Sequence, residues 1–81
     1  MTKRPTPADH RKVLTEMLRE PLATRSLRDL CACTEGLFQA VTDALEEARP
    51  LSDQHAYALA KRCRVNPAPI LMTVWYPEVA T

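Results

Sequence analysis

A single glycine, Gly36, in a chain of 81 residues is the feature that most limits how this sequence can fold. Sheets use glycine in their tight turns, and their strands are rich in β-branched and aromatic side chains. This chain has only one Phe, two Tyr and one Trp. Its two most frequent residues are alanine and leucine, which favour helices, as do its arginines and glutamates. The sequence therefore predicts an all-α protein.

Prolines and N-cap residues divide the chain into five predicted helices. Thr6, Ser26 and Ser52 each stand where a helix can begin, because their hydroxyls accept hydrogen bonds from the first free backbone N–H groups. Gly36 is expected to form a turn, since glycine adopts positive φ at little cost. The third helix is expected over about residues 37–48, and the last one is expected to end at Pro77.

The chain is long enough for one domain, which we place at residues 6–77, with flexible termini at 1–5 and 78–81. A domain this small buries only about 60–65% of the surface that its unfolded chain exposes, which disfavours a deep catalytic cleft. No phosphate-binding loop, dinucleotide fingerprint or nucleophile–base spacing occurs. The sequence therefore predicts a binding protein that is not an enzyme and has no cofactor.

The three cysteines and two histidines give no metal-binding pattern. Cys31 and Cys63 are expected to be small core residues, with Cys33 at the surface, and His10 and His55 are expected at the surface or as caps. An odd number of cysteines without a leader-like amino terminus predicts free thiols in the cytosol. No apolar run approaches the roughly 20 residues of a membrane span, so no membrane partner is expected.

Two segments, 41–52 and 56–67, resemble a known family. The first reads as a helix running into a proline-containing connection, and the second as an alanine- and leucine-rich helix that ends before a proline. Leu30 and Val41 have the spacing of the two core positions that bracket the turn of that family. Residues 26–71 therefore resemble the lambda-repressor/Cro-like (Xre-type) helix-turn-helix domain of phage and bacterial regulators. The resemblance implies a five-helix bundle whose second and third helices form the DNA-reading unit.

The sequence departs from this family at its turns and in its charge. Glu47 and Arg64 stand where the family has glycine. If Leu30 and Val41 are aligned, the turn glycine of the family falls on Glu35, one position before Gly36. Positive charges outnumber negative ones in residues 1–30 and 51–81, but negative charges outnumber positive ones in residues 31–50. The third helix lies in this acidic stretch and has no basic residue.

The resemblance implies a small DNA-binding transcriptional regulator, repressor-like and derived from a phage or mobile element. Exposed residues early in the third helix would enter the major groove and contact bases. Gln39 can pair with adenine, Thr42 can contact a thymine methyl group and Asp43 can accept from cytosine. The expected base-contacting residues are Phe38, Gln39, Thr42 and Asp43. The expected phosphate-contacting residues are Arg11, Lys12, Arg25, Arg28 and Arg49.

The missing positive charge on the third helix leaves a second function open. An acidic helix with Phe38 exposed suits a basic groove on another protein, as in an anti-host or DNA-mimicking inhibitor that does not bind DNA. This alternative predicts a protein partner and no salt-dependent retention on heparin.

The apolar carboxyl-terminal segment has two interpretations. Met72, Trp75 and Tyr76 are predicted to form a homodimer interface, because methionine and aromatic residues are favoured there. Alternatively, Trp75 completes the core of a very small domain. A dimer suits DNA binding, since two-fold proteins read half-sites about one helical turn apart.

Overall fold

The computed structural model describes residues 4–76, and this part of the chain contains six α-helices and no strand. In chain order the helices are α1 (Pro7–Leu18), α2 (Pro21–Thr24), α3 (Leu27–Leu30), α4 (Leu37–Leu45), α5 (Asp53–Cys63) and α6 (Ala68–Leu71). The all-helical prediction is confirmed, whereas five helices is too few for the described residues. The domain limits of 6–77 stay a prediction, and Pro77, residues 1–3 and the tail at 78–81 lie outside the described residues.

The additional helix, α2, begins at Pro21. Proline also suits the first position of a helix, because its missing N–H would be unpaired there and its fixed φ is helical. Arg25 closes the single turn of α2 by donating its N–H to the Pro21 carbonyl at 3.1 Å. Pro21 therefore separates α1 from a new helical turn.

All three predicted N-caps are confirmed. The Thr6 hydroxyl accepts from the Asp9 N–H at 3.2 Å, and the Asp9 carboxylate accepts from the Thr6 N–H at 3.0 Å, which together form a capping box. The Ser26 hydroxyl accepts from the Asp29 N–H at 3.1 Å. The Ser52 hydroxyl accepts from the His55 N–H at 3.3 Å.

The core lies where α1, α4, α5 and α6 pack against one another. Its largest apolar members, each less than 2% exposed, are Leu14, Leu30, Leu37, Val41, Leu51, Leu59 and Ile70. Helix α4 turns Leu37 and Val41 into this core, whereas Ala48 is exposed because α4 ends before it. The buried face of α4 fixes which of its side chains point outward.

Helix α4 ends at Leu45, three residues before the predicted end, because Glu47 is left-handed with φ 61. Glu47 donates its N–H to the Ala44 carbonyl at 3.1 Å, and Ala48 donates to the Asp43 carbonyl at 2.8 Å. These two bonds form a Schellman motif, which satisfies the last carbonyls of a helix. Helix α5 ends in the same way at Arg64, with φ 58. Arg64 donates to Lys61 at 3.2 Å and Val65 donates to Ala60 at 3.0 Å.

Replacing Arg64 with glycine should stabilise the protein. A left-handed residue with a Cβ costs about 1–2 kcal/mol, and the greater entropy of glycine in the unfolded chain offsets about 0.4–1 kcal/mol of the gain. We expect the free energy of unfolding to rise by about 0.5–1 kcal/mol, measured by urea denaturation. Arg64→Ala is the matched control, because it removes the exposed side chain but keeps the Cβ. An equal gain in both variants would show that backbone strain is not the cause.

His10 is fully buried, so its expected position at the surface is wrong. Its Nε2 accepts a hydrogen bond from the Leu51 N–H at 3.1 Å, which places the ring proton on Nδ1. Nδ1 lies 3.1 Å from the Thr73 hydroxyl, which itself donates to the Ile70 carbonyl at 3.0 Å. Burial lowers the pKa of His10, against a smaller opposing effect of a hydrogen bond with Thr73. This neutral ring joins α1 to the α4–α5 connection and to the segment after α6.

Candidate nucleic-acid interface

A sharp turn precedes α4 and directs its first residues outward. The Leu37 N–H donates to the Thr34 carbonyl at 3.2 Å, which closes a four-residue turn around Glu35 and Gly36. Gly36 has φ 76 and ψ −4, the values of the third residue of a type II turn. Leu37, the last residue of the turn, is buried and attaches the turn to the core. The next two residues, Phe38 and Gln39, lie on the outer side of α4 and are exposed.

The four predicted base-contacting residues lie on one outward face of α4, and they contact one another. Phe38 is 37% exposed and Gln39 is exposed, whereas Thr42 and Asp43 are half-buried. Gln39 Nε2 donates to Asp43 Oδ1 at 2.9 Å. The Thr42 hydroxyl donates to the Phe38 carbonyl at 2.9 Å, so its proton is used within the helix. The amide oxygen of Gln39 has no hydrogen-bond partner among residues 4–76.

Arg28 lies at one edge of this face. Its guanidinium carbon is 5.0 Å from the centre of the Phe38 ring, within the range of a cation–π contact. Arg28 belongs to α3, and the contact therefore holds a positive charge from α3 beside the amino-terminal turn of α4. Both side chains remain exposed.

Arg49 lies at the other edge, in a shallow groove of about 350 Å³. The groove runs between the start of α4 and the start of α5, and Gln39, Asp43, Ser52 and His55 also line it. Successive helical residues are about 100° apart, so Phe38 and Asp43 are about 140° apart around α4. Arg28 and Arg49 therefore flank the outward face on two different sides.

The other three predicted phosphate-contacting residues are not joined to this face. Arg11 pairs with Glu47 at 2.7 Å, near the carboxyl end of α4. Lys12 lines a separate groove that it shares with Met72. Arg25 is exposed and follows α2, and no ion pair of its guanidinium is formed within residues 4–76.

The electrostatics of α4 itself remain acidic. The helix carries Asp43, and Glu46 and Glu47 follow it without any Lys or Arg within Leu37–Leu45. Glu47 is neutralised in part by Arg11, and Asp43 accepts from the Gln39 amide. Positive charge at the outward face comes from Arg28 and Arg49, which lie outside the helix.

Of the three predicted interface residues, Met72 is 77% exposed and Tyr76 is 83% exposed. Trp75 is 9% exposed in the single chain, which suits the alternative that it packs inside the domain, and its assignment to an interface stays a prediction. Its buried Nε1 donates to no acceptor in the described part of the chain. A homodimer through Met72 and Tyr76 stays a prediction.

Cys31 is buried and Cys33 is exposed, as the sequence predicted, whereas Cys63 is only half-buried and packs against the edge of the core. Within residues 4–76, no group of three His, Cys, Asp or Glu side chains is arranged to hold a metal ion. None of the helices in this range has the length and hydropathy that a bilayer-spanning helix requires.

Sequence reasoning missed the contact that His55 makes with the turn before α4. Its Nε2 lies 3.3 Å from the Glu35 carbonyl, and its Nδ1 lies 3.1 Å from the Ser52 hydroxyl. The position of His55 three residues after the Ser52 cap was visible in the sequence. Its second partner, 20 residues earlier, was not.

No family model matches the chain, and neither the curated proteins nor the solved structures include a protein that is similar to it.

Proposed function

We propose that this protein is a small DNA-binding transcriptional regulator of the lambda-repressor-like helix-turn-helix type, and that it acts as a homodimer. One observation carries the proposal. The exposed start of α4 follows a sharp turn, and Arg28 and Arg49 flank it on two sides. In this proposal α4 enters the major groove, and the two arginines contact the phosphates beside it.

The flanking arrangement suits DNA because phosphate contacts position a protein whereas groove contacts specify sequence. A major groove is about 12 Å wide and is lined on each side by phosphates, so a helix inserted in it needs cations at both of its edges. Arg28 and Arg49 supply one cation at each edge. The acidic residues Glu46 and Glu47 lie beyond the carboxyl end of α4, away from the turn that would enter the groove first.

The ends of α4 and α5 support the resemblance to the family. Glu47 and Arg64 stand where that family has glycine, and they are the two non-glycine residues with positive φ in the described part of the chain. Glycine is common at such positions because it adopts left-handed conformations without a Cβ clash. The backbone therefore takes the conformation that the family's glycines would favour, although the side chains differ.

Gln39 is the residue that we propose reads a base. Its Nε2 bond to Asp43 Oδ1 fixes the orientation of the amide and leaves one N–H and the carbonyl oxygen for DNA. An amide with one donor and one acceptor presented together pairs with the edge of adenine. Asp43 then orients the Gln39 amide and need not contact the DNA itself.

Arg28→Ala and Arg49→Ala should each weaken binding to all DNA sequences alike. Each variant loses about one phosphate contact, so the slope of log affinity against log salt concentration should become about one unit shallower. Gln39→Ala should instead reduce the preference at one base position, at a cost of about 1–3 kcal/mol on the preferred sequence. A preferred site is first selected from duplex DNA of random sequence. The two probes are then the selected duplex and the random-sequence duplex, which reports non-specific binding. Fluorescence anisotropy measures both affinities.

Lys61→Ala is the matched control, because it removes one exposed positive charge from the last turn of α5, at the opposite end from the groove. Its salt slope should equal that of the parent protein. If Lys61→Ala changes the slope as much as Arg28→Ala does, the binding is diffuse attraction and the proposed docking is wrong. If the parent protein shows no salt-dependent binding to duplex DNA at all, the proposed function is wrong.

The acidic charge of α4 favours a second candidate function. A helix that has Phe38 and Asp43 on its outward face, that is followed by Glu46 and that has no basic residue of its own suits a basic groove on another protein. Such an inhibitor would have no affinity for duplex DNA. Retention on heparin that is lost as salt rises distinguishes the two candidates, because only the DNA-binding protein should show it.

A further inference from the structure

The turn before α4 is held from outside by one side chain of another helix. His55, in the first turn of α5, places its Nε2 3.3 Å from the Glu35 carbonyl oxygen. A carbonyl oxygen only accepts, so the ring proton is on Nε2 and Nε2 donates. The Ser52 hydroxyl, 3.1 Å from Nδ1, then donates to the other ring nitrogen. Ser52 also accepts from the His55 N–H at 3.3 Å, so both ends of the ring are fixed.

The carbonyl that accepts from His55 belongs to the central peptide of the turn. This peptide joins Glu35 to Gly36, whose φ of 76 gives the turn its type II geometry. Rotating the peptide to the type I form would point the Glu35 carbonyl to the other side and would remove the positive φ of Gly36. A Cβ built on Gly36 would lie 3.6 Å from His55 Nε2, which shows how closely the ring packs on the turn. The hydrogen bond from His55 therefore favours one of two available turn conformations.

From these contacts we infer that His55 is a positioning residue for α4, acting through the Glu35 carbonyl to set the direction in which Phe38 and Gln39 project. The inference rests on the proposed function for its effect on DNA, because the direction of α4 determines which bases Gln39 can reach. A helix whose amino-terminal turn is misplaced by about 1 Å loses base contacts, whereas phosphate contacts through long arginine side chains adapt. His55 should therefore matter for sequence-specific binding and little for non-specific binding.

Two substitutions at position 55 separate this role from a general structural one. In glutamine the side-chain nitrogen is as many bonds from Cα as Nε2 of histidine, so His55→Gln keeps a donor for the Glu35 carbonyl. In asparagine the nitrogen reaches only as far as Nδ1, so His55→Asn can contact Ser52 but not Glu35. Both are neutral amides at the same helix position, and they differ in the one contact that the inference concerns.

The first measurement needs no DNA. Amide hydrogen exchange of Leu37, whose N–H closes the turn, is followed by NMR in the full chain and reports how often the turn opens. We expect about tenfold faster exchange in His55→Asn and within about twofold of the parent in His55→Gln, because a lost hydrogen bond of about 1.4 kcal/mol corresponds to a factor of ten. Equal exchange of the Leu37 amide in both variants would overturn the positioning role.

The second measurement uses the selected duplex and the random-sequence duplex as probes. We expect His55→Asn to bind the selected duplex about tenfold more weakly and the random duplex within about twofold of the parent, and His55→Gln to restore most of the specific affinity. Equal losses on both probes would overturn the positioning role. If the amide exchange differs between the two variants but the parent binds neither duplex, the contact with the turn is established and the proposed function is the part that fails.

Discussion

Replacing His10 with alanine should lower the free energy of unfolding by about 3–4 kcal/mol, measured by urea denaturation followed by circular dichroism. The substitution leaves the Leu51 N–H buried without its acceptor, which costs about 1–3 kcal/mol, and it leaves a cavity where a fully buried ring was. A domain of this length is stable by roughly 4–12 kcal/mol, so the loss is a large share of the total. A loss below about 1 kcal/mol would contradict the hydrogen bond between Leu51 and His10.

Thr73→Val is the matched control, because it removes the other partner of the ring and keeps the volume. The lost bond is between two neutral groups and its partner is half-buried, so we expect a cost of about 1 kcal/mol.

The pH dependence gives a second check. Burial holds the pKa of His10 below its ordinary value of 6.5 in the folded protein, so the unfolded chain binds the proton first as pH falls. The stability that His10 contributes is therefore complete above about pH 6.5 and is lost as the pH falls toward the lowered folded pKa. Between about pH 7.5 and pH 5, the parent should lose more stability than His10→Gln does.

Replacing Gly36 with valine should cost about 2–3 kcal/mol and should displace the start of α4. The φ of 76 at Gly36 is in the left-handed region, where a β-branched residue is a strong outlier. Steric overlap is not the cause of this loss of stability, since a Cβ at this position would make only an ordinary van der Waals contact with His55. The measurements are urea denaturation and the NMR shifts of the Leu37 and Phe38 amides.

Asparagine at position 36 is the control for conformational strain. It is the side chain best tolerated in the left-handed region, so Gly36→Asn should cost no more than about 1 kcal/mol. Gly36→Ala should fall between the two, at about 1–2 kcal/mol. If valine and asparagine have the same effect, the turn does not depend on the positive φ of residue 36.

The parts of the fold that could be predicted from the sequence are those with a local signature. The N-caps could be predicted because a hydroxyl just before a helix usually accepts a hydrogen bond from one of the first backbone N–H groups. They are Thr6, Ser26 and Ser52. The turn at Gly36 was predicted for the same kind of reason, since one residue in the chain adopts positive φ cheaply. The outward projection of Phe38 and Gln39 followed from that turn and from the buried positions of Leu37 and Val41.

The positive φ of Glu47 and Arg64 could not be predicted from their residue types, because glutamate and arginine rarely adopt it, and the only sign was that the resembled family has glycine at both positions. Pro21 has two uses at a helix boundary, and the sequence did not distinguish the end of one helix from the start of the next. His10 lies four residues before Leu14, on the apolar face of α1, so a signal for its burial was present. Its partners lie 41 and 63 residues later in the chain, beyond the reach of any local pattern.

The candidate site was predictable in its position but not in its contacts. The sequence indicated α4 as the helix that would contact a partner, and it indicated arginines that could contact phosphates beside it. It did not indicate that Arg28 would lie over Phe38, that Gln39 would bond to Asp43, or that Arg11 would pair with Glu47. Long side chains choose among several neighbours by small differences in free energy, so their partners depend on the assembled structure.

The pairing of His10 with Thr73 also constrains how the protein is made in the cell. These residues are separated by 63 positions, and the bond joins the first helix to the segment after the last one. A chain emerging from the ribosome can form α1 early, but the polar ring on its inward face gains its first native partner only with Leu51 and its second only with Thr73. The helix that is made first therefore reaches its final polar contacts only after the segment that follows α6 has been made.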